Sequence, residues 1–194
     1  MTIRPVRPGM VEEAERREAP TAELALGWQR RVFDGVPLPV DYYAGEVRDK
    51  GPRYPELIGY EVRVGPFRGL PSSEVPAALE RFESQVQRAV RLLDREVPVG
   101  GVPEDPGVLG SVVTLCTMTH GEWVRIHPFA NGNGRTARLW ANWSALRYGL
   151  PPFVRLRPRP AGDRYARAAA DSMQGDHGAT VTLFANWLHS QISN

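Results

Sequence analysis

Three apolar stripes at helical spacing constrain the fold of this chain more than any other feature. Val75, Leu79, Phe82, Val86, Ala89, Val90 and Leu93 fall on one face of a helix. Leu109, Val112, Val113, Cys116, His120, Trp123 and Val124 mark a second stripe, and Leu139, Trp143, Leu146 and Leu150 a third. Each stripe has to be buried against another element, so the pattern predicts a mainly α fold, a helical bundle. Punctuation supports the division. Ser72 or Ser73 is placed to cap the first helix, Pro98 to Gly107 forms a loop, and Pro151-Pro152 stops the third helix.

Weaker signals complete the bundle. A charged stretch, Val11 to Glu18, predicts a surface helix. Pro20-Thr21 restarts the chain, with Leu24, Trp28 and Val32 on one face until Asp34-Gly35 ends the helix. Beyond an arginine-proline loop that runs to Pro160, two more helices are expected at about 162–174 and 180–192. Leu183, Phe184, Trp187, Leu188 and Ile192 form the apolar face of the second. Only one stretch has the period of a strand: Ile58, Tyr60, Val62 and Val64 alternate with Gly59, Glu61 and Arg63. With the Lys50-Gly51-Pro52 turn upstream, this predicts a short hairpin over roughly 47–64, which has to lean on the helices to be stable.

Composition narrows the classes of function. At 194 residues and 42% apolar, the chain suits one domain over residues 1–194 with a sizeable core. No apolar run is long enough to cross a bilayer, and Met1-Thr2-Ile3-Arg4-Pro5 has no secretory character, so a cytoplasmic setting is expected. Cys116 stands alone, which excludes an internal disulfide framework and a cysteine-rich zinc site. A net charge of +2 gives no reason to expect direct binding of nucleic acid. Lys50 is the only lysine among 24 basic residues, and arginine is the better phosphate fork.

The chemistry concentrates in His127-Pro-Phe-Ala-Asn-Gly-Asn-Gly-Arg-Thr-Ala-Arg138, which lies between two apolar helices. Gly132 and Gly134 allow the backbone to turn its N–H groups toward one point, and the next helix aims its positive end there. Arg135 and Arg138, three apart, project from one face of that helix. Together they make a polyphosphate cradle with no Walker-type lysine. His127 enters from the other side as a candidate base, so the pattern points to transfer of a phosphate-containing group to an alcohol. Histidines 120, 177 and 189 read as structural, and Arg155, Arg157 and Arg159 as a solvated loop.

At these residues the chain resembles the Fic family, whose motif is His-x-Phe-x-(Asp/Glu)-Gly-Asn-Gly-Arg-x-x-Arg. Seven of the eight fixed positions match, and Asn131 replaces the acid. Ala44-Gly45-Glu46-Val47-Arg48 is similar to the family's segment before its flap, and Ile126 precedes the histidine. The resemblance covers about residues 21–190, with 1–20 as an N-terminal extension. It implies the Fic fold with a β-hairpin flap, and AMP transfer from ATP to a Ser, Thr or Tyr hydroxyl of a target protein. His127 is then the base. Gly132, Asn133 and Gly134 hold the α- and β-phosphates, and Arg135 and Arg138 hold the outer ones. Phe129 anchors the loop, and Ile58, Tyr60 and Val62 form the flap that pairs with the target.

Asn131 is the departure. The family's carboxylate there holds Mg²⁺ (or Mn²⁺) on the nucleotide. An amide oxygen can still ligate the ion but brings no charge, so weaker metal binding is expected. A catalytically weakened nucleotide- or protein-binding module is the alternative, as is Doc-like phosphate transfer, which the intact Gly-Asn-Gly run disfavours. No Ser or Thr has Glu four residues on, the pattern of the family's inhibitory helix. A separate inhibitory, antitoxin-like protein is therefore expected as a partner.

Overall fold

The computed structural model describes residues 6–193. Seven α-helices are present among them: α1 (Val6–Glu15), α2 (Ala22–Val32), α3 (Val75–Glu96), α4 (Pro106–Ile126), α5 (Asn133–Arg147), α6 (Asp163–Met173) and α7 (Gly178–Ile192). A two-residue antiparallel ladder, β1 (Arg63–Val64) with β2 (Phe67–Arg68), pairs Arg63 with Arg68 and Val64 with Phe67. The expected mainly α fold with a small hairpin is what forms. No helix among the described residues is long and apolar enough to cross a membrane.

The antiparallel pair α4–α5 is the centre. Every residue of α5 from Thr136 to Ala145 is buried, so α5 is enclosed rather than striped. Around the pair, Trp28 meets Trp140 edge-on at 4.9 Å, Phe82 lies 5.3 Å from both Trp123 and Trp140, and Trp123 lies 5.8 Å from Phe129. Offset edge-to-face rings of this kind add to the large area they bury. Buried residues from Met10 to Leu188 join this one core. Asp105 starts α4 by accepting from the N–H groups of Gly107 (2.7 Å) and Val108 (3.0 Å), with Pro106 in the first turn.

Several expectations shift. The first helix is not a charged surface element at 11–18: α1 turns Met10 and Ala14 fully inward. Ser72 and Ser73 do not cap α3, because a 3₁₀ turn over Ser72–Glu74 precedes it and Glu74 stands at the cap position without a side-chain bond. Ile192 leaves the α7 face and is 53% exposed. The hairpin is shorter and later than 47–64. Pro55 opens a 3₁₀ turn, Gly59 takes φ +64, and Ile58 is 51% exposed, so the alternating stretch finds no partner strand before the Val62 carbonyl, which accepts from the Gly69 N–H at 3.1 Å. The turn that closes the ladder is Gly65-Pro66. Upstream, Tyr42, Tyr43, Tyr54 and Tyr60 pack edge-on and give the irregular segment its shape.

Candidate active site

The segment after α4 is pinned from every side. His127 ends α4 in the left-handed region, φ 54, an unusual conformation for a residue with a Cβ. Arg48, wholly buried, holds it there. Its Nε donates to the His127 carbonyl at 2.9 Å. Its other nitrogens donate to the carbonyls of Ile126 (3.1 Å), Leu70 (2.9 Å) and Tyr60 (2.9 Å). The Arg48 N–H donates to the Pro128 carbonyl at 2.8 Å. Gly69 packs so closely that a Cβ there would stand 2.7 Å from the His127 Cβ. Farther along, buried Gln29 donates to the Asn131 carbonyl at 3.2 Å. Phe129 fills the core as the anchor, fully buried.

Asn133 closes the loop on itself. Its Oδ1 accepts from the Phe129 N–H and its Nδ2 donates to the Phe129 carbonyl, both at 2.8 Å. Its side chain thus fastens the loop to itself at the head of α5. Gly132 sits at φ +92 with Phe33 where a Cβ would point, so a side chain has neither the conformation nor the room.

The loop and the head of α5 line a cleft of about 580 Å³, together with the hairpin from Val62 to Phe67 and one face of α6. His127, Asn131, Gly132, Asn133, Gly134, Arg135 and Arg138 all reach it, as the sequence anticipated. Of the three flap candidates only Val62 does. Ile58 lies outside, and Tyr60 contributes its carbonyl to Arg48 instead. The α6 wall is Tyr165, Ala166, Ala169, Ala170 and Met173, apolar apart from the Tyr165 hydroxyl.

The His127 ring is set by one bond. Nδ1 lies 2.9 Å from the Val124 carbonyl, which only accepts, so Nδ1 carries the proton and Nε2 keeps its lone pair. Burial holds this imidazole below its ordinary pKa range, the Val124 bond opposes that shift, and the Arg48 charge reinforces it. Arg135 stacks its guanidinium 4.6 Å above the Phe33 ring. Burial, Arg138 and Arg157 all hold Arg135 below the usual guanidinium range.

Two cleft residues were not legible as such. Tyr165 of α6 bridges buried His120, 2.9 Å from its Nε2, and Arg138, whose Nη1 is 3.5 Å away. His120 is thus structural, through a residue distant in sequence. Arg159, assigned to a solvated loop, is exposed but lines the cleft with its guanidinium 5.5 Å above the Tyr165 ring. Its loop is fastened to α5 by Asn142, which exchanges bonds of 2.8 and 2.9 Å with the backbone of Val154. Arg48 did have a signal, the Ala44–Arg48 segment.

The cleft does not fit a protein-held Mg²⁺. No Asp or Glu is among the described residues that line it, and no metal-binding group of three or more His, Cys, Asp or Glu side chains occurs among the described residues. The amide oxygen of Asn131 accepts from the Gly132 N–H at 2.7 Å and faces Arg135 Nη2 at 3.5 Å. This is the setting of an acceptor among donors, not of a metal ligand.

A sequence profile of the Fic/DOC family matches residues 20–145, more than half of the chain. The chain belongs to the Fic/DOC family. Among curated proteins it is similar to the protein adenylyltransferase Fic of Nematostella vectensis, 36% identical over 83 residues, which are 43% of this chain and 17% of that protein. It is also similar to the protein adenylyltransferase Fic of Aedes aegypti, 48% identical over 42 residues, 22% of this chain and 8% of that one. The Fic/DOC chain thus spans less than a fifth of the length of these relatives. A Fic domain-containing signaling protein of Bacteroides thetaiotaomicron shares the fold, with a TM-score of 0.58 at 20% identity, covering 95% of this chain and 62% of that one.

Proposed function

We propose that this Fic-family chain is a protein nucleotidyltransferase that moves AMP from ATP to a Ser, Thr or Tyr hydroxyl of a target protein. The observation that carries this reading is the Nδ1–Val124 bond, which leaves His127 a neutral base facing an arginine-lined cleft. Nε2 takes the proton of the target hydroxyl. The hydroxyl oxygen bonds the α-phosphorus, the bond from that phosphorus to the bridging oxygen breaks, and pyrophosphate leaves with the electron pair. The N–H groups at the head of α5 face the inner phosphates, and Arg135 and Arg138 stabilise charge on the leaving group. An extended target segment adds to the hairpin edge at Arg63–Phe67, with Val62 at its root. A separate inhibitory protein acting on the cleft remains part of this proposal.

The test is incubation with ATP labelled at the α-phosphate and a lysate as acceptor. Label on protein with the native chain, lost with His127→Ala, is the expected result. Label retained by His127→Ala, or no label transferred under any condition, removes the reading.

A further inference from the structure

The cleft is cationic. Arg63, Arg135, Arg138 and Arg159 line it, and no carboxylate does among the described residues. Arg138 is the most telling. It is only 6% exposed, has no ion-pair partner among the described residues, and makes only long contacts, 3.3 Å to the Leu156 carbonyl and 3.5 Å to the Tyr165 hydroxyl. Its Nε is buried without a hydrogen-bond partner. A buried guanidinium in that state is costly until an anion reaches it. Arg159 adds a second cation from the neighbouring loop, held over the Tyr165 ring on which Arg138 also converges.

We propose that the cleft takes its polyphosphate without a divalent cation, Arg138 and Arg159 supplying the charge that a carboxylate-held metal would bring. Arg159 is then a phosphate ligand outside the Gly132–Arg138 segment. The inference rests on the nucleotide reading above and deepens it. Its physical basis is the donor set: an uncomplexed triphosphate carries more negative charge than its magnesium complex, and planar guanidiniums bind its oxygens in pairs. The Asn131 amide oxygen, the atom that would ligate a metal ion, lies 3.5 Å from the cationic Arg135 Nη2, so an ion held there would meet a like charge.

Calorimetric titration with ATP, in EDTA and in millimolar Mg²⁺, tests this. The native chain is expected to bind ATP at least as tightly in EDTA. Arg159→Ala, an exposed position whose fold is checked by thermal melting, is expected to weaken binding in EDTA by about tenfold or more and to lose less in Mg²⁺. Asn131→Asp is expected to invert the preference, binding ATP more tightly with Mg²⁺. A native chain that needs Mg²⁺ to bind ATP, or an Arg159→Ala variant unchanged in EDTA, overturns the inference. Inorganic tripolyphosphate separates the two proposals. If it binds in EDTA while ATP binds in neither buffer, metal-free polyphosphate binding stands and the nucleotide reading falls. If neither ligand binds in EDTA, the inference falls.

Discussion

The Arg48 guanidinium donates through Nε to the carbonyl of His127 at 2.9 Å, so the backbone of the proposed base is held by a side chain 79 positions earlier in the chain. Burial lowers the pKa of Arg48, with Glu61 and Asp49 acting against that shift. Arg48→Ala strands the carbonyls of Tyr60, Leu70, Ile126 and His127 and should cost about 3–5 kcal/mol in urea unfolding. Arg48→Lys keeps the charge but lacks the planar fork, so it should recover only part of the loss. An alanine variant of native stability would show that the four bonds contribute nothing net.

For His127, the proposed base is the neutral ring, so transfer should rise with pH as the imidazolium loses its proton. Because burial depresses the pKa, the acid limb of the rate profile should lie below the ordinary value of about 6.5. His127→Ala should lower the rate by about 10²–10⁴ while leaving ATP affinity in place. An acid limb at or above the ordinary histidine value would contradict the assigned environment.

Asn133→Ala removes both bonds to Phe129 and leaves a buried N–H and carbonyl unmatched. A stability loss of about 2–4 kcal/mol is expected. ATP binding should weaken too, because the loop that heads α5 loses its closure. Calorimetry on the folded variant measures this. Unchanged affinity would return the side chain to a purely structural role.

A buried histidine outside the loop should make the fold sensitive to acid. His120 is fully buried and its pKa is lowered to about 3 by burial, with Arg138 and His177 adding to the effect. The unfolded chain binds a proton at this ring below about 6.5 and the folded chain does not, so its contribution to stability is complete above that value. It is lost progressively as pH falls toward the folded pKa. Thermal melts should show this slope, and His120→Phe should flatten it. An equal slope in the variant would assign the sensitivity elsewhere.

What the sequence disclosed follows from range. The stripe Val75–Leu93 was legible because a core-facing helix repeats its pattern within itself, and His127–Arg138 because the chemistry is contiguous. The hairpin was misplaced because alternation at Ile58–Val64 says nothing about whether a partner strand exists, and Gly59 diverts the chain. The bonds of Asn133 to Phe129 had no signal because they exist only once the loop has closed. Arg159 had no signal at all. Its place depends on Asn142 holding Val154, a contact between a helix and a loop that no local pattern encodes.

The alanine face of α6 bears on selectivity. Ala166, Ala169 and Ala170, with Met173 and Val124, offer no side-chain hydrogen-bond donor or acceptor to whatever rests against them. That wall can measure thickness but cannot read an edge. A ring pressed on it gains contact area, worth about 0.8 kcal/mol per buried methylene equivalent, irrespective of where its nitrogens and oxygens lie. For the proposed nucleotide, a purine laid on that side would be discriminated only shallowly, since sharp rejection needs buried polar groups that a wrong ligand leaves unpaired. For that nucleotide, a strict preference for one nucleobase would come from the polar groups elsewhere on the lining, among them Arg63, Arg159, Tyr165 and the backbone between Val62 and Phe67.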